Sequence, residues 1–187
     1  MRLLRLLQPL VTLKSRPLKL RNLKRRLYGL KSLPERVARA RYFRGHGVHS
    51  PFVYRLVRQA FMRRGLLTEE PVLYEALLQR GFGKRRAVQL QNLYTLCDYR
   101  AFSIDDLETN CDLCLLTEAV SENRTREVVE RAVRRHTTVA VMSPYEGRER
   151  AALCRELVEN HTCTSVDKRA FLLLFTDPNL PKQHYRI

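Results

Sequence analysis

The sequence predicts an α/β fold: a doubly wound, mostly parallel sheet covered by helices on both faces and preceded by a basic helical extension. Three observations predict it. A chain of 187 residues with 44% hydrophobic content can bury one packed domain and carry an appendage. Beyond Gly81, short β-rich runs alternate with helical ones, as parallel strands joined by crossover helices do. The charge is lopsided: residues 1–44 hold fourteen Lys or Arg and one acid, Glu35, so all but three of the sixteen net positive charges lie there. The organisation expected is a basic amphipathic arm at 1–35, a helical lead-in at 36–82 and the α/β domain at 83–187.

In the arm, Pro9, Pro17 and Pro34 cut a leucine-rich, basic stretch into short segments, because proline ends or kinks a helix. Leu20, Leu23, Leu27 and Leu30 recur at helical spacing, with Arg21, Lys24, Arg25 and Arg26 between them. That is a basic amphipathic helix. Three readings fit it. A leucine face beside arginines suits an acidic membrane surface, where insertion and attraction add. The same charge suits the phosphates of a nucleic acid. A helix packed on its own domain with solvated arginines fits equally.

Pro34 opens a helix through Val37, Ala40 and Phe43 that stops near Gly45 and Gly47. Ser50 and Pro51 suit the N-cap and first position of the next. Its apolar face is Phe52, Val53, Leu56, Val57, Ala60 and Phe61, and Gly65 ends it. Thr68 with Glu69 and Glu70 starts a further helix, which Gly81 stops. Strands are then expected at 87–93, 101–104, 113–116, 138–142, 171–175 and 184–187, and helices at 95–100, 121–135 and 146–160. In the helix at 121–135, Val128, Val129, Ala132 and Val133 form one stripe opposite Glu127, Glu130, Arg131 and Arg134.

Five cysteines, odd in number and mostly in apolar stretches, argue against a secreted disulfide framework and for a reducing compartment. Arg2, Arg5 and Lys14 interrupt the first leucines, and no small-residue cleavage site follows, so no secretory signal is read. No stretch approaches the roughly 18 apolar residues of a spanning helix. A cytoplasmic protein is expected.

His46 and His49 flank a glycine but lack nearby third and fourth ligands, so a capping turn suits them better than a metal. Cys111-Asp112-Leu113-Cys114 has Cys-x-x-Cys spacing, yet it enters an apolar run without a second pair. Buried structural thiols are expected there.

The segment His46-Gly47-Val48-His49-Ser50-Pro51-Phe52 resembles the lead-in of a bacterial family of class I S-adenosylmethionine-dependent methyltransferase-like proteins. Lys182-Gln183-His184-Tyr185-Arg186-Ile187 resembles that family's C-terminal strand, and the order strand, helix, strand between Val139 and Phe175 is similar. The resemblance spans about residues 40–187 and is strongest at its two ends. It implies a Rossmann-like domain, here shortened, because little sequence separates Asp105 from Leu113.

In such a methyltransferase the first strand runs into Glu-x-Gly-x-x-x-Gly, whose glycines admit the cofactor. The matching stretch has Gln89 for the acid and Gln91 and Thr95 for the glycines. Asp105 and Asp106 stand where an acid would hold the ribose, though solvated turn residues would look the same. Metal-dependent members use carboxylates after the fourth and fifth strands; only Glu118 is present, beside Met142-Ser143-Pro144, so no metal is expected.

The departures from the family's cofactor motif imply a degenerate, catalytically silent scaffold with no cofactor, and the basic arm implies an anionic partner, at the inner membrane surface if lipid is that partner. The alternatives are an active enzyme using S-adenosylmethionine, with Asp105 or Asp106 on the ribose, an RNA- or membrane-surface-binding protein, and a non-catalytic subunit of an active methyltransferase. An open pocket near Gln91 would favour the enzyme; Gln91, Leu93 and Tyr94 filling it would favour the module.

Overall fold

The computed structural model describes residues 48–107 and 110–187, all within one compact unit, Arg39–Ile187. The arm with Arg21, Lys24, Arg25 and Arg26, the helix expected from Pro34, and His46 lie outside the described residues.

Helix α1 spans Pro51–Arg55 and opens as its sequence dictates. Pro51 sits in the first turn, and the Val53 amide donates to the Ser50 hydroxyl at 3.3 Å. The chain continues as a π-helical turn, Leu56–Phe61, which buries Leu56, Val57, Ala60 and Phe61. It stops four residues short of Gly65. Helix α2, Val72–Gln79, buries Leu73 and Leu77, and Gly81 follows in the left-handed region at φ 80°.

The expected strand at 87–93 is instead the middle of helix α3, Lys84–Leu96. Ala87, Leu90, Leu93 and Tyr94 recur at helical spacing and enter the core, while Gln89, Gln91 and Asn92 are buried among them. These polar residues gave the run its strand-like alternation, and the folded chain pairs each with backbone from the preceding segment. Gln89 Nε2 donates to the Phe61 carbonyl at 2.7 Å, and the Tyr74 amide donates to Gln91 Oε1 at 3.0 Å. Asn92 accepts from the Leu67 amide and donates to the Gly65 carbonyl, both at 2.9 Å. The separate helix expected at 95–100 is the last turn of α3, followed by a reversal at Asp98, φ 55°.

Strands β1 (Phe102–Ile104), β2 (Leu113–Leu116), β3 (Thr138–Met142), β4 (Ser165–Asp167), β5 (Phe171–Leu174) and β6 (His184–Arg186) form one sheet ordered β1-β2-β3-β5-β4-β6. Neighbours β1 and β2, β2 and β3, and β4 and β6 are parallel; β5 runs antiparallel between β3 and β4. The fold is thus α/β with a mixed, mostly parallel sheet, a shortened Rossmann-like arrangement. Strand β4 had no sequence signal: Ser165-Val166-Asp167 is short and two-thirds polar, and its place in the sheet comes from its partners.

Helices α4 (Glu122–Arg134) and α5 (Arg148–Asn160) follow β2 and β3. Strand alternation divides the interior in two. Leu113, Leu115, Ala140, Met142, Phe171 and Leu173 face α1, α2 and α3. Cys114, Leu116, Val139, Val141, Leu172 and Leu174 face α4 and α5. One core runs from Val53 to Phe175, so the lead-in after residue 48 and the domain that starts at 83 are packed together.

Replacing Asn92 with Ala removes both hydrogen bonds to the 65–67 segment and leaves two backbone groups unpaired. Urea denaturation should show a loss of about 2 kcal/mol, and the Leu67 amide should exchange faster with solvent than in the parent chain.

Candidate functional site

Open α/β sheets place their ligand sites beyond the carboxyl ends of the strands. Here a cleft of about 680 Å³ lies at that position for β2 and β3, between the segment 118–122 leading into α4 and the segment 146–150 leading into α5. Ser121 caps α4 by accepting from the Arg124 amide at 3.4 Å. Gly147 stands at the N-cap of α5, which has no side-chain cap.

The cleft floor is organised by Arg150, a helix residue only 7% exposed. Its Nε donates to the Met142 carbonyl at 3.1 Å, and one terminal nitrogen donates to the carbonyls of Met142, Thr117 and Leu116 at 2.9, 3.0 and 3.3 Å. A buried charge is tolerable only with such partners. Arg150 therefore ties together the ends of β2 and β3 through the carbonyls of Leu116, Thr117 and Met142.

Glu118, at the end of β2, stands at the cleft wall. Partial burial pushes its carboxyl up, but hydrogen bonding with the Ser143 side chain, its own backbone amide and the Glu146 carboxyl, with the Arg150 charge, holds it net below the usual carboxylate range. Ser143 is set for this contact by a left-handed backbone, φ 47°, directly after β3. The wall is mixed in charge: Glu118, Glu122, Glu146 and Glu149 against Arg148 and Arg150. Such a site can donate hydrogen bonds from helix amides and accept them at carboxylates. Among the described residues, no cluster of three His, Cys, Asp or Glu could hold a metal ion.

The structure does not bring the sequence-derived cofactor residues together at this cleft. Gln89 and Gln91 are on α3, 5% and 1% exposed, with their amides committed to Phe61 and Tyr74. They cannot line a strand-to-helix loop, because the chain has none there; this corrects the expectation that put the cofactor loop at 89–95. Asp105 ends β1 at φ 68°, and both its carboxylate oxygens accept from Thr117, from the amide at 2.7 Å and the hydroxyl at 2.9 Å. It staples β1 to β2. Asp106 is exposed and accepts from the Leu107 amide and from Arg124, both at 2.8 Å; these contacts, the amide first, hold its carboxyl below the usual range.

Cys111 and Cys114 are buried. Burial pushes the Cys114 thiol up to about 12, and it donates to the Asp106 carbonyl at 3.3 Å. Burial thus disfavours the thiolate, the reactive form of the group. His49 is exposed just before the Ser50 cap. His161 is buried at the end of α5, where its Nε2 meets the Phe175 carbonyl at 2.7 Å. Burial, only partly opposed by the Phe175 and Thr164 carbonyls, lowers its pKa.

Two residues of this region had no sequence signal. Arg150 sits in a charged run, Arg148-Glu149-Arg150, that reads as a solvated helix face. Tyr145 donates to the buried Asp167 of β4, a pairing visible only once β4 is in the sheet.

Two measurements probe these groups. Arg150→Met keeps the volume but frees the carbonyls of Leu116, Thr117 and Met142, and should lower stability by about 3 kcal/mol in urea. Because the folded state holds His161 neutral below its ordinary pKa, the unfolded chain binds the extra proton first. Its contribution is therefore complete above about pH 6.5 and is lost as pH falls below that value. The urea midpoint should fall between about pH 7.5 and pH 5.5, and less steeply in His161→Gln. Compared as a whole with known proteins, the chain matches no family model, no curated protein and no solved structure.

Proposed function

We propose that the chain is a catalytically silent binding module on a class I methyltransferase-like scaffold, acting on an anionic partner through its basic arm. The observation that carries this reading is helix α3. The stretch that would have to form the cofactor loop is a helix interior, with Gln91, Leu93 and Tyr94 buried at 1%, 0% and 7% exposure. Tyr94 packs edge-on against Tyr99 and Phe102, its ring centroids 6.2 and 5.8 Å from theirs, so the space beside β1 is occupied by aromatic rings.

The committed carboxylate of Asp105 supports the same reading, since a ribose would have to displace Thr117 from it. The charge of the arm, in Arg21, Lys24, Arg25 and Arg26, favours a polyanion by long-range attraction. A cytoplasmic location agrees with cysteines that form no disulfide. No helix among the described residues is long and apolar enough to cross a membrane.

A second reading draws on the cleft at the ends of β2 and β3, which is roomy enough for a nucleoside-sized ligand. There an active enzyme would hold S-adenosylmethionine by a route that does not use α3. Isothermal titration of the folded protein with S-adenosylmethionine, and separately with its demethylated product, decides between them. The silent module gives no saturable heat with either at concentrations that reveal a dissociation constant of about 1 mM. Saturable heat that is abolished by Glu118→Lys would replace it with the enzyme.

A further inference from the structure

The helical layer carries a concentration of positive charge that the fold does not neutralise. Arg58 lies in the π-helical turn, Arg63 and Arg64 in the segment after it, and Lys84, Arg85 and Arg86 in the first turn of α3. All are exposed except Arg86, which is half-buried. None of these six is among the cations seen in ion pairs with Asp or Glu, which include Arg124, Arg126 and Arg131 of α4.

The buried amides of α3 hold the segment that carries Arg63 and Arg64 against the helix that opens with Lys84, Arg85 and Arg86. Phe61 is held at Gln89 and Gly65 at Asn92, so Arg63 and Arg64 are carried along the α3 stripe defined by those two residues. Arg85 and Arg86 precede Gln89 by four and three positions and stand on the same stripe, about 5 Å back along the helix axis. The nearest acids in that segment, Glu69 and Glu70, follow Leu67, beyond the Asn92 anchor.

The opening of α3 breaks a local rule as well. Its first turn holds three cations and no acid, against the helix dipole, and its N-cap, Gly83, supplies no side chain. Folding alone has no use for that arrangement, whereas a bound phosphate would offset it.

We propose that Arg58, Arg63, Arg64, Lys84, Arg85 and Arg86 form a nucleic-acid-binding surface on the folded domain, engaging the phosphate backbone independently of the arm. Five of the six are arginines, whose planar guanidinium pairs with phosphate in a bidentate manner. Tyr54, 47% exposed, lies four positions before Arg58 and offers a ring on which a base can stack. A membrane surface fits less well, because the six cations outnumber the exposed large apolar residues here, Tyr54 on α1, Met62 at the end of the π-helical turn that continues it, and Val72 on α2. The proposal extends the anionic-partner reading above and rests on it.

The test is fluorescence anisotropy of the full chain with labelled oligouridylate across about 50 to 200 mM salt. The variants are Arg63→Gln, Arg64→Gln, Lys84→Gln, Arg85→Gln and Arg86→Gln combined, and Arg21→Gln, Lys24→Gln, Arg25→Gln and Arg26→Gln combined. The domain variant should bind at least about tenfold more weakly, with the slope of log affinity against log salt reduced by about 3. Unchanged affinity and slope in that variant, with the arm variant impaired, would overturn the domain surface and leave the arm as the anion site. No RNA binding by the parent chain, alongside binding to phosphatidylserine vesicles, would also overturn it while keeping an anionic partner. Binding to neither would remove both readings. Should the five-fold variant unfold, Arg63→Gln with Arg64→Gln, both exposed, should still lower the slope by about 1.5.

Discussion

The helical layer depends on buried amide side chains. Gln89, Gln91 and Asn92 lie on a helix that is covered on more than one side, so each must find a partner inside the protein or carry a desolvation cost of a few kcal/mol. They find it in the backbone of a single preceding stretch, from Phe61 to Tyr74. That stretch contains no strand and only part of α2, and it would otherwise leave its own amides and carbonyls unpaired. Each side satisfies the other. The position of α3 against the sheet, the path of the 62–71 segment and the filling of the space beside β1 all follow from this mutual satisfaction.

The same constraint explains what the sequence could and could not reveal. The second half was legible, because Leu113–Leu116 and residues 139–142 are uninterrupted apolar runs and the Ser121 cap with Val128, Val129 and Ala132 marks α4, although Val133 of the expected stripe is 38% exposed. The stretch 87–93 was not. A sequence of apolar residues broken by glutamine and asparagine reads as a half-buried strand when polar side chains are assumed to face water, and here they face backbone. Strand β4 was hidden for a different reason: three residues, two of them polar, acquire strand character only between β5 and β6.

The candidate site was less legible than the fold. Asp105 and Asp106 were found as acids at a strand end, and they are there, but one is bound to Thr117 and the other to Arg124 and the Leu107 amide. Sequence spacing locates a carboxylate and is silent about what occupies its lone pairs. Arg150 shows the converse, since a charged residue in a charged run proves to be 7% exposed and fixed to three carbonyls. The long reach of a guanidinium from a helix to the ends of two strands has no signature along the chain.

The thiols make the protein a reporter on its own opening. Cys114 is on β2, between β1 and β3, and Cys154 on the inner face of α5, with burial pushing their pKa values to about 12 and about 11. An alkylating reagent in neutral buffer meets almost no thiolate at either place while the chain is folded. Labelling then proceeds only through excursions that expose the sulfur, and its rate measures how often they occur. The two sites lie on different elements, a helix covering the sheet and a strand within it, so each rate reports the opening of its own surroundings. Two buried cysteines thus make the opening of α5 and of β2 separately readable, without any introduced probe.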